Sequence, residues 1–219
     1  ITQGFYPNMM GAYVTSDRST LIRLHHISSQ LITVLAGATA IVFIYFANPI
    51  LYVWSGNAEL ANLISPLLVI LSAAALANCL GYIGFNLRVI KGDLTSLALT
   101  SGGAVLLALT VLPITAEKYG LLGGALGWLG IAILYSGVLL VLAHIGDLKG
   151  EGLRWLTLDT LMPLLGSAMI AWPLFRFMPE VGGRLMMGIY LVAATCVILM
   201  TASVIAPDLR AQVRSFFNR

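Results

Sequence analysis

The chain has 219 residues, of which 59% are hydrophobic and only 10% are charged. Because a soluble domain carries about 25% charged residues, this composition excludes an ordinary water-soluble fold and indicates an integral membrane protein. The net charge of +3 comes from basic residues placed in loops, where they set membrane orientation, so it does not indicate a nucleic-acid partner.

Long apolar segments recur along the chain. A helix needs about 20 apolar residues to cross the ~30 Å hydrocarbon layer of a bilayer. Six segments meet this requirement: 28–47, 62–85, 95–114, 121–143, 156–177 and 185–206. The ten-residue alternation typical of transmembrane barrel strands is absent from the sequence. The sequence therefore predicts an all-α integral membrane protein with six full transmembrane helices.

Residues 1–27 precede the first of these spans. The apolar stretch ITQGFYPNMMGAY covers about half a span and lacks the basic leader and cleavage site of a signal peptide. We expect it to be a partial N-terminal helix, the end of a helix that starts earlier in a longer protein. Residues 15–27 predict a short amphipathic connector on the cytoplasmic surface, capped by Asp17 or a neighbouring hydroxyl residue. The adjacent His25 and His26 are expected to be polar residues of the membrane interface.

The first two spans are joined by a segment without Lys or Arg. Pro49 has no backbone donor and disfavours helix in the residue before it, so we expect it to end the first span. The letters PILYVW then predict a short hydrophobic turn in the membrane interface. Trp54 is expected at the level of the lipid headgroups, where an amphipathic ring is favoured.

Polar side chains in the second span are candidates for a substrate path, because burying them in a membrane is costly. Asn78 and Asn86 either hydrogen-bond another helix or line a hydrated cavity. Arg88 and Lys91 form a basic pair at the cytoplasmic end of the span, and a lipid diphosphate or an anionic lipid surface suits their donors. Gly92-Asp93 predicts a tight turn immediately afterwards.

Glycines recur at spacings of three and four at the start of the fourth span, in the letters KYGLLGGALGWLG. Gly120, Gly123, Gly124 and Gly127 predict a flat helix face that lets another helix approach closely. The alternative is a surface along which helices slide.

The letters HIGDLKGEGLRWL form the longest polar interruption and predict a solvated linker. We divide the chain there, into a four-helix group at 28–146 and a terminal pair of helices with a tail at 147–219. Cys79 and Cys196 lie in different spans and are expected to be small buried hydrophobic residues, without a disulfide or a metal.

Basic residues are distributed unequally between the loops on the two sides. Nine lie on one side: Arg18, Arg23, Arg88, Lys91, Lys149, Arg154, Arg210, Arg214 and Arg219. Three lie on the other side: Lys118, Arg176 and Arg184. The excess of basic residues in cytoplasmic loops predicts that the first side, including the C-terminus, is cytoplasmic.

Signatures of catalysis are missing from the sequence. It contains no zinc-type HExxH motif, nucleotide-binding loop or Ser/His/Asp set. The acids that could serve at a membrane face, Asp93, Asp147, Glu151 and Asp159, show no convergent spacing. We therefore expect no catalytic residues, no metal site, no cofactor and no enzymatic activity.

The letters FANPILYVWSGNAELANLISPLLVILSAAALANCLGYIGFNLRVIKGD resemble the polysaccharide flippases, which export O-antigen and exopolysaccharide precursors within the multidrug/oligosaccharidyl-lipid/polysaccharide superfamily. The segments GFYPNMM, GLLGGALGW and APDLRAQVRSFFNR also fit this family. The resemblance extends over nearly the whole chain and implies one lobe of a flippase-type helical bundle.

The resemblance implies a function and a set of partners. Such proteins move polyprenyl-diphosphate-linked oligosaccharides across the cytoplasmic (inner) membrane by alternating access, between two lobes. The implied partners are the lipid-linked oligosaccharide, membrane lipids, a missing N-terminal lobe of the same chain, a polysaccharide polymerase and glycosyltransferases. Arg23, Asn78, Asn86, Arg88 and Lys91 are the candidates for the substrate path.

Three other functions remain open. A drug or cation antiporter of the same superfamily would carry a carboxylate in mid-membrane, and only Asp159 lies near such a position. An integral-membrane transferase of envelope assembly would depend on acids such as Asp93 and Glu151. A purely structural membrane subunit would need neither.

Overall fold

The computed structural model describes residues 2–146, 148–179 and 183–217. These residues are almost entirely helical, and they include no strand. The α-helices in chain order are α1 (Thr2–Val14), α2 (Arg18–Ile32), α3 (Ala38–Tyr45), α4 (Ala47–Ser55), α5 (Ala58–Lys91), α6 (Leu94–Ile145), α7 (Gly152–Arg154), α8 (Met162–Arg176), α9 (Arg184–Ile205) and α10 (Pro207–Phe217). Two π-helical segments interrupt this series, one at Thr33–Gly37 and a second at Trp155–Leu161.

Among the described residues, five helical stretches are long and apolar enough to cross a membrane. This confirms the all-α membrane character that the sequence predicts. The five stretches are Arg18–Tyr45, Ala58–Lys91, Leu94–Ile145, Gly152–Arg176 and Arg184–Ile205. The first of them joins α2, the first π segment and α3. Residues 18–27 therefore begin this long helix and do not form a separate short helix. Their place on the membrane surface stays a prediction. Asp17 does cap the helix, because its side chain accepts a hydrogen bond from the backbone of Thr20.

α6 folds back on itself at Gly120. A straight helix of 52 residues would be about 78 Å long. The backbone of Gly120 has φ 64° and ψ −153°, which breaks the helix into two arms, 94–119 and 121–145. Ser101 and Tyr135 lie on different arms, yet their hydroxyl oxygens are 3.4 Å apart. The two arms are therefore antiparallel and contain the predicted third and fourth spans.

The segment between the first and second spans differs from the predicted turn. The helix breaks at Phe46, with φ −109° and ψ 22°, and Pro49 lies in the first turn of the short helix α4. Proline fits there because the first N–H groups of a helix have no partner within it. The letters PILYVW are thus helical, and α4 ends at Gly56, whose φ is 71°. Trp54 is 81% exposed, as a side chain facing lipid or headgroups would be.

The turn between α5 and α6 confirms the one predicted from Gly92-Asp93. Gly92 has φ 70°, and Asp93 accepts a hydrogen bond from the backbone of Ser96 at the start of α6. Arg88 pairs with the Asp93 carboxylate, and its other guanidinium nitrogen donates to the carbonyl of Leu142 at 2.9 Å. Arg88 therefore fastens α5 to both ends of the α6 hairpin.

α5 runs parallel to the second arm of α6, with backbones in close contact. An ideal Cβ on Gly81 would lie 2.6 Å from Ser136 Cβ, and one on Gly84 would lie 2.5 Å from the Leu139 carbonyl oxygen. Glycine therefore creates this helix contact, because only a residue without Cβ allows backbones so near.

The predicted glycine face of the fourth span has two roles. A Cβ on Gly127 would lie 2.8 Å from Thr115 Oγ1, and one on Gly123 would overlap the carbonyl of Thr115, so both pack against the first arm. Gly124 makes a looser approach, 3.7 Å from Ala116 Cβ, whereas Gly120 has nothing within 4 Å and forms the turn.

In the described part of the chain, buried apolar residues form two clusters. One, centred on Phe46, Ala171 and Ile198, joins α3 to α8 and α9. The other, which includes Met9, Leu24 and Ile90, joins α1 and α2 to the ends of α5 and α6. Leu148 is fully buried in this second cluster, so the predicted linker is anchored to the bundle and is not simply solvated.

Contacts also gather the basic residues that the sequence assigns to one side. Arg18 donates to the carbonyl of Lys149 at 3.0 Å, Arg154 pairs with Asp208, and Arg88 reaches Leu142. At the opposite end, Arg184 donates to the carbonyl of Val53 at 2.7 Å. The bundle thus has a basic end, which holds Arg18, Arg88, Lys149 and Arg154.

Candidate functional site

A cluster of buried polar side chains lies near the basic end of the bundle. We name it the His26 cluster, and it consists of His25, His26, Gln30, His144, Glu151, Arg154, Asp159 and Asp208. His25, His26, Gln30 and Asp159 are each at most 1% exposed. Buried polar groups must find partners to offset the loss of water, so the contacts within this cluster decide what it can do.

His26 lies between two carboxylates. Its Nδ1 contacts Asp159 Oδ2, and its Nε2 lies 3.1 Å from Glu151 Oε2. The Asp159 side chain is fully buried in the second π segment, whereas the Glu151 side chain is 26% exposed. His26 therefore connects α2 to two points on the segment that leads into α8.

Gln30 lies one turn after His26 on α2 and uses both ends of its amide. Its Nε2 donates to Asp159 Oδ1 at 2.8 Å and to Asp208 Oδ2 at 2.9 Å. Its Oε1 accepts from the backbone nitrogens of Asp208 and Leu209, at 2.9 and 3.0 Å. The first N–H groups of a helix have no partner within it, so Gln30 caps α10 and holds it against α2.

Arg154 completes the outer side of the cluster. Its guanidinium pairs with Asp208 at 3.1 Å, and both side chains are partly exposed. An exposed pair of this kind contributes about 0–1 kcal/mol, so Arg154 balances the Asp208 charge more than it stabilises the fold.

Two further imidazoles lie beside His26. The ring of His25 is centred 5.3 Å from His26 and 5.6 Å from His144, and the ring of His144 is 5.2 Å from Trp155. His144 Nδ1 donates to the Leu140 carbonyl at 2.8 Å. Both ring nitrogens of His25, together with His144 Nε2 and Trp155 Nε1, are buried without a hydrogen-bond partner among the described residues.

This cluster was missed by the sequence interpretation. His25 and His26 were expected at the membrane interface, but they are buried against other helices. Asp159 was considered as an acid at a membrane face and as the carboxylate nearest mid-membrane, but not as a partner of His26. The available signal was the spacing of His26 and Gln30, which lie four residues apart on one helix face. Asp147, the remaining acid of the predicted linker, lies outside the described residues.

Metal binding has no support in the described part of the chain. No group of three or more His, Cys, Asp or Glu residues there could hold a metal ion. Both cysteines are free, as expected, but Cys196 is exposed and Cys79 only partly buried. The expectation that both are buried is wrong, because Cys196 faces outward from α9.

The predicted substrate-path residues lie apart from the His26 cluster. Arg23 is exposed on α2, and Asn86 is partly buried in α5. Asn78 lines a hollow of about 260 Å³ together with Ser101, Trp128 and Tyr135. Arg88 and Lys91 end α5 at the basic end, where hydrogen bonds from Arg88 and Ser96 hold the pKa of Asp93 below its usual value. Their assignment to a substrate path stays a prediction.

A concave apolar surface runs along α3, and we name it the α3 trough. It consists of two adjoining hollows that share Thr39 and Phe43. One, of about 640 Å³, has walls from α4 and α9, including Trp54 and Val192. The other, of about 370 Å³, has a wall from α5, including Leu71. α3 is therefore recessed between α5 on one side and α9 on the other.

No protein-family model, curated protein or solved structure matches this chain.

Proposed function

We propose that the chain forms part of a membrane transporter that moves a polyprenyl-diphosphate-linked oligosaccharide across the cytoplasmic membrane by alternating access. The resemblance of its sequence to polysaccharide flippases and its apolar helices suggest this function. On this proposal the six predicted spans all cross the membrane, with both α6 arms as separate crossings.

The α3 trough is the observation that carries this proposal. A flipped lipid must keep its long apolar tail in a lipid-like environment while its sugar crosses elsewhere. The trough offers apolar walls from α3, α4, α5 and α9 over two adjoining hollows, and it is open at its side. Such a surface suits a polyprenyl chain or a second lobe that encloses one.

The basic end suits the diphosphate headgroup. Arg18 and Lys149 border a hollow of about 650 Å³ there, together with Tyr13 and Ser16. Guanidinium and ammonium groups are the usual partners of phosphate in proteins. With the basic end in the cytoplasm, the headgroup would meet these donors on the side where lipid-linked sugars are assembled.

A drug or cation antiporter is the second candidate, and one observation favours it. Asp159 is a fully buried carboxylate in a helix long enough to cross a membrane. Ionisable residues in such positions mark ion or proton pathways. Its His26 partner and its place near the basic end distinguish it from a bare carboxylate in mid-membrane.

The test fills the trough with a large side chain. Thr39 is exposed, lies outside the buried core and lines both hollows. Thr39→Trp therefore narrows the trough without replacing a buried residue. Leu35→Trp is the control, because Leu35 is 38% exposed on the same long helix but lines neither hollow. Each variant replaces the natural gene in its own host, and protein amounts are matched.

We expect Thr39→Trp to decrease surface polysaccharide and to accumulate lipid-linked oligosaccharide in the membrane, while Leu35→Trp retains export. Equal export from both variants would remove the trough from the pathway. Unchanged polysaccharide together with loss of efflux of a lipophilic cation dye would favour the antiporter.

A further inference from the structure

We propose that His26, Glu151 and Asp159 form a proton-binding site, in which one bound proton holds α2 against the segment from Glu151 to the second π segment. We name the contact between α2 and residues 151–161 the joint. Its proposed control by a proton does not depend on the cargo of the transporter.

Counting hydrogen-bond donors shows that this site needs a proton. An ionised carboxylate only accepts hydrogen bonds, and a neutral imidazole carries one N–H. Asp159 Oδ2 faces Nδ1 of His26, and Glu151 Oε2 lies 3.1 Å from Nε2. If the imidazole N–H is the only proton shared by the three side chains, the other ring nitrogen directs its lone pair at a carboxylate oxygen. That contact is repulsive. Both contacts are attractive only when a second proton is present, on the ring or on a carboxyl group.

Burial decides which contact opens when that proton leaves. Asp159 is fully buried and also accepts from Gln30, so it stays in place. Glu151 is 26% exposed and precedes the short helix α7, so its carboxylate can turn towards water. Moving an exposed carboxylate costs far less than leaving a buried one unpaired. Loss of the proton therefore releases the outer contact first.

In the part of the chain that the structure describes, few other charged and titratable groups surround His26. On α2 itself, His25 lies beside it, and His144 of α6 lies behind His25. Arg154 of α7 and Asp208 of α10 face each other and compensate one another's charge. α1 and α5 contact α2 through apolar residues such as Met9, Leu87 and Ile90. Among the described residues, Glu151 and Asp159 are thus the acids that directly contact the His26 ring.

The site lies where two helices have irregular hydrogen bonding. α2 leads into the π segment Thr33–Gly37, and Asp159 lies within the π segment Trp155–Leu161. The two helices touch closely there, since an ideal Cβ on Gly37 would lie 2.7 Å from Leu164 Cδ2. π segments are uncommon and frequently occur at functional sites. A proton that locks or releases Glu151 would therefore act on a joint that is already irregular.

The direct test reads the protonation of the ring. The chain has three histidines, so protein labelled with ¹⁵N-histidine in lipid nanodiscs gives few imidazole signals, which His25→Gln and His144→Gln assign. At neutral pH we expect one of two results. Either His26 carries protons on both ring nitrogens, or the protein shows the infrared band of a protonated carboxyl group, which Asp159→Asn or Glu151→Gln removes. Asp208→Asn is the control, because Asp208 contacts Gln30 and Arg154 but not His26. A neutral His26 without any protonated carboxyl at neutral pH would overturn the proposal.

A second measurement tests whether the joint loosens when the proton is lost. Hydrogen exchange of the backbone at 148–154, corrected for its intrinsic pH dependence, should accelerate severalfold as pH rises in the wild-type protein. His26→Gln should exchange at the faster rate throughout. The same pH profile in both proteins would count against the site. If His26→Gln does not fold, the wild-type ring spectrum and the Asp208→Asn control still decide.

Discussion

At the residue scale, short polar side chains fix where helices begin. Asp17 accepts hydrogen bonds from the hydroxyl of Ser19 at 2.7 Å and from the backbone nitrogen of Thr20 at 3.0 Å. These contacts with Thr20 and Ser19 lower the pKa of Asp17 from 3.8 to about 2. Asp17 therefore serves as an ionised cap at the start of Arg18–Tyr45, the most deeply buried of the five candidate spans in the described residues.

The Asp17 cap predicts a pH-dependent stability. A carboxyl group whose pKa falls on folding stabilises the protein above its unfolded pKa of about 4 and stops doing so as pH falls through 2. We expect Asp17→Asn, which caps without a charge, to lose this dependence. Thermal unfolding midpoints in detergent between pH 2 and 6 measure it. Identical profiles for the two proteins would show that the carboxylate is not involved.

At the element scale, glycine determines which helices touch. Gly81 and Gly84 bring α5 against the second arm of α6, and Gly123 and Gly127 bring the two arms of α6 together. The hydrophobic effect does not drive helices together in lipid. Van der Waals contacts between closely packed small residues must therefore stabilise their association. Gly120 has a different role, because its φ of 64° and ψ of −153° allow the reversal that makes a hairpin.

The α5–α6 contact predicts the effect of one methyl group. In Gly84→Ala the added Cβ meets backbone at Leu139, which cannot rotate away, and overpacking of this kind costs about 1–3 kcal/mol. Gly103→Ala is the matched control, since a Cβ there has nothing within 4 Å. Unfolding titrations in mixed SDS micelles should show a loss for Gly84→Ala alone. Equal stability of the two variants would mean that the helices separate easily.

At the scale of the whole molecule, charge is divided between the two ends of the bundle. Arg18, Lys149 and Arg154 contact one another's segments or Asp208 at the basic end, and Arg184 contacts α4 at the other end. This arrangement agrees with the sides that the sequence assigns to these residues. An excess of basic residues in short loops orients a membrane protein with that side in the cytoplasm.

The orientation can be tested with cysteines placed at the two ends. In a Cys79→Ala, Cys196→Ala background, Ala58→Cys and Lys149→Cys each place one thiol at an exposed position. We expect a membrane-impermeant maleimide to label position 58 in intact cells and position 149 only after permeabilisation. Labelling of both positions from the same compartment would refute the orientation, and labelling in the reverse order would invert it.

The class of the fold and the approximate positions of the long helices could be predicted from the sequence alone. Backbone groups in lipid must be paired within the chain, so long apolar segments become helices wherever they occur. The turn at Gly92-Asp93 and the cap at Asp17 were also predictable, because each depends on neighbouring residues alone. Pro49 was misread as the end of a span, since proline is accepted equally in a first helical turn.

Which helices are neighbours could not be predicted from the sequence and became known from the three-dimensional fold. His26 meets Glu151 and Asp159 across separations of 125 and 133 residues, and Gln30 meets Asp208 across 178. Apolar helix faces are nearly equivalent in lipid, so their sequences do not state which faces pair. The proposed proton-binding joint could therefore not be predicted from the sequence, because its residues meet only when the helices pack together.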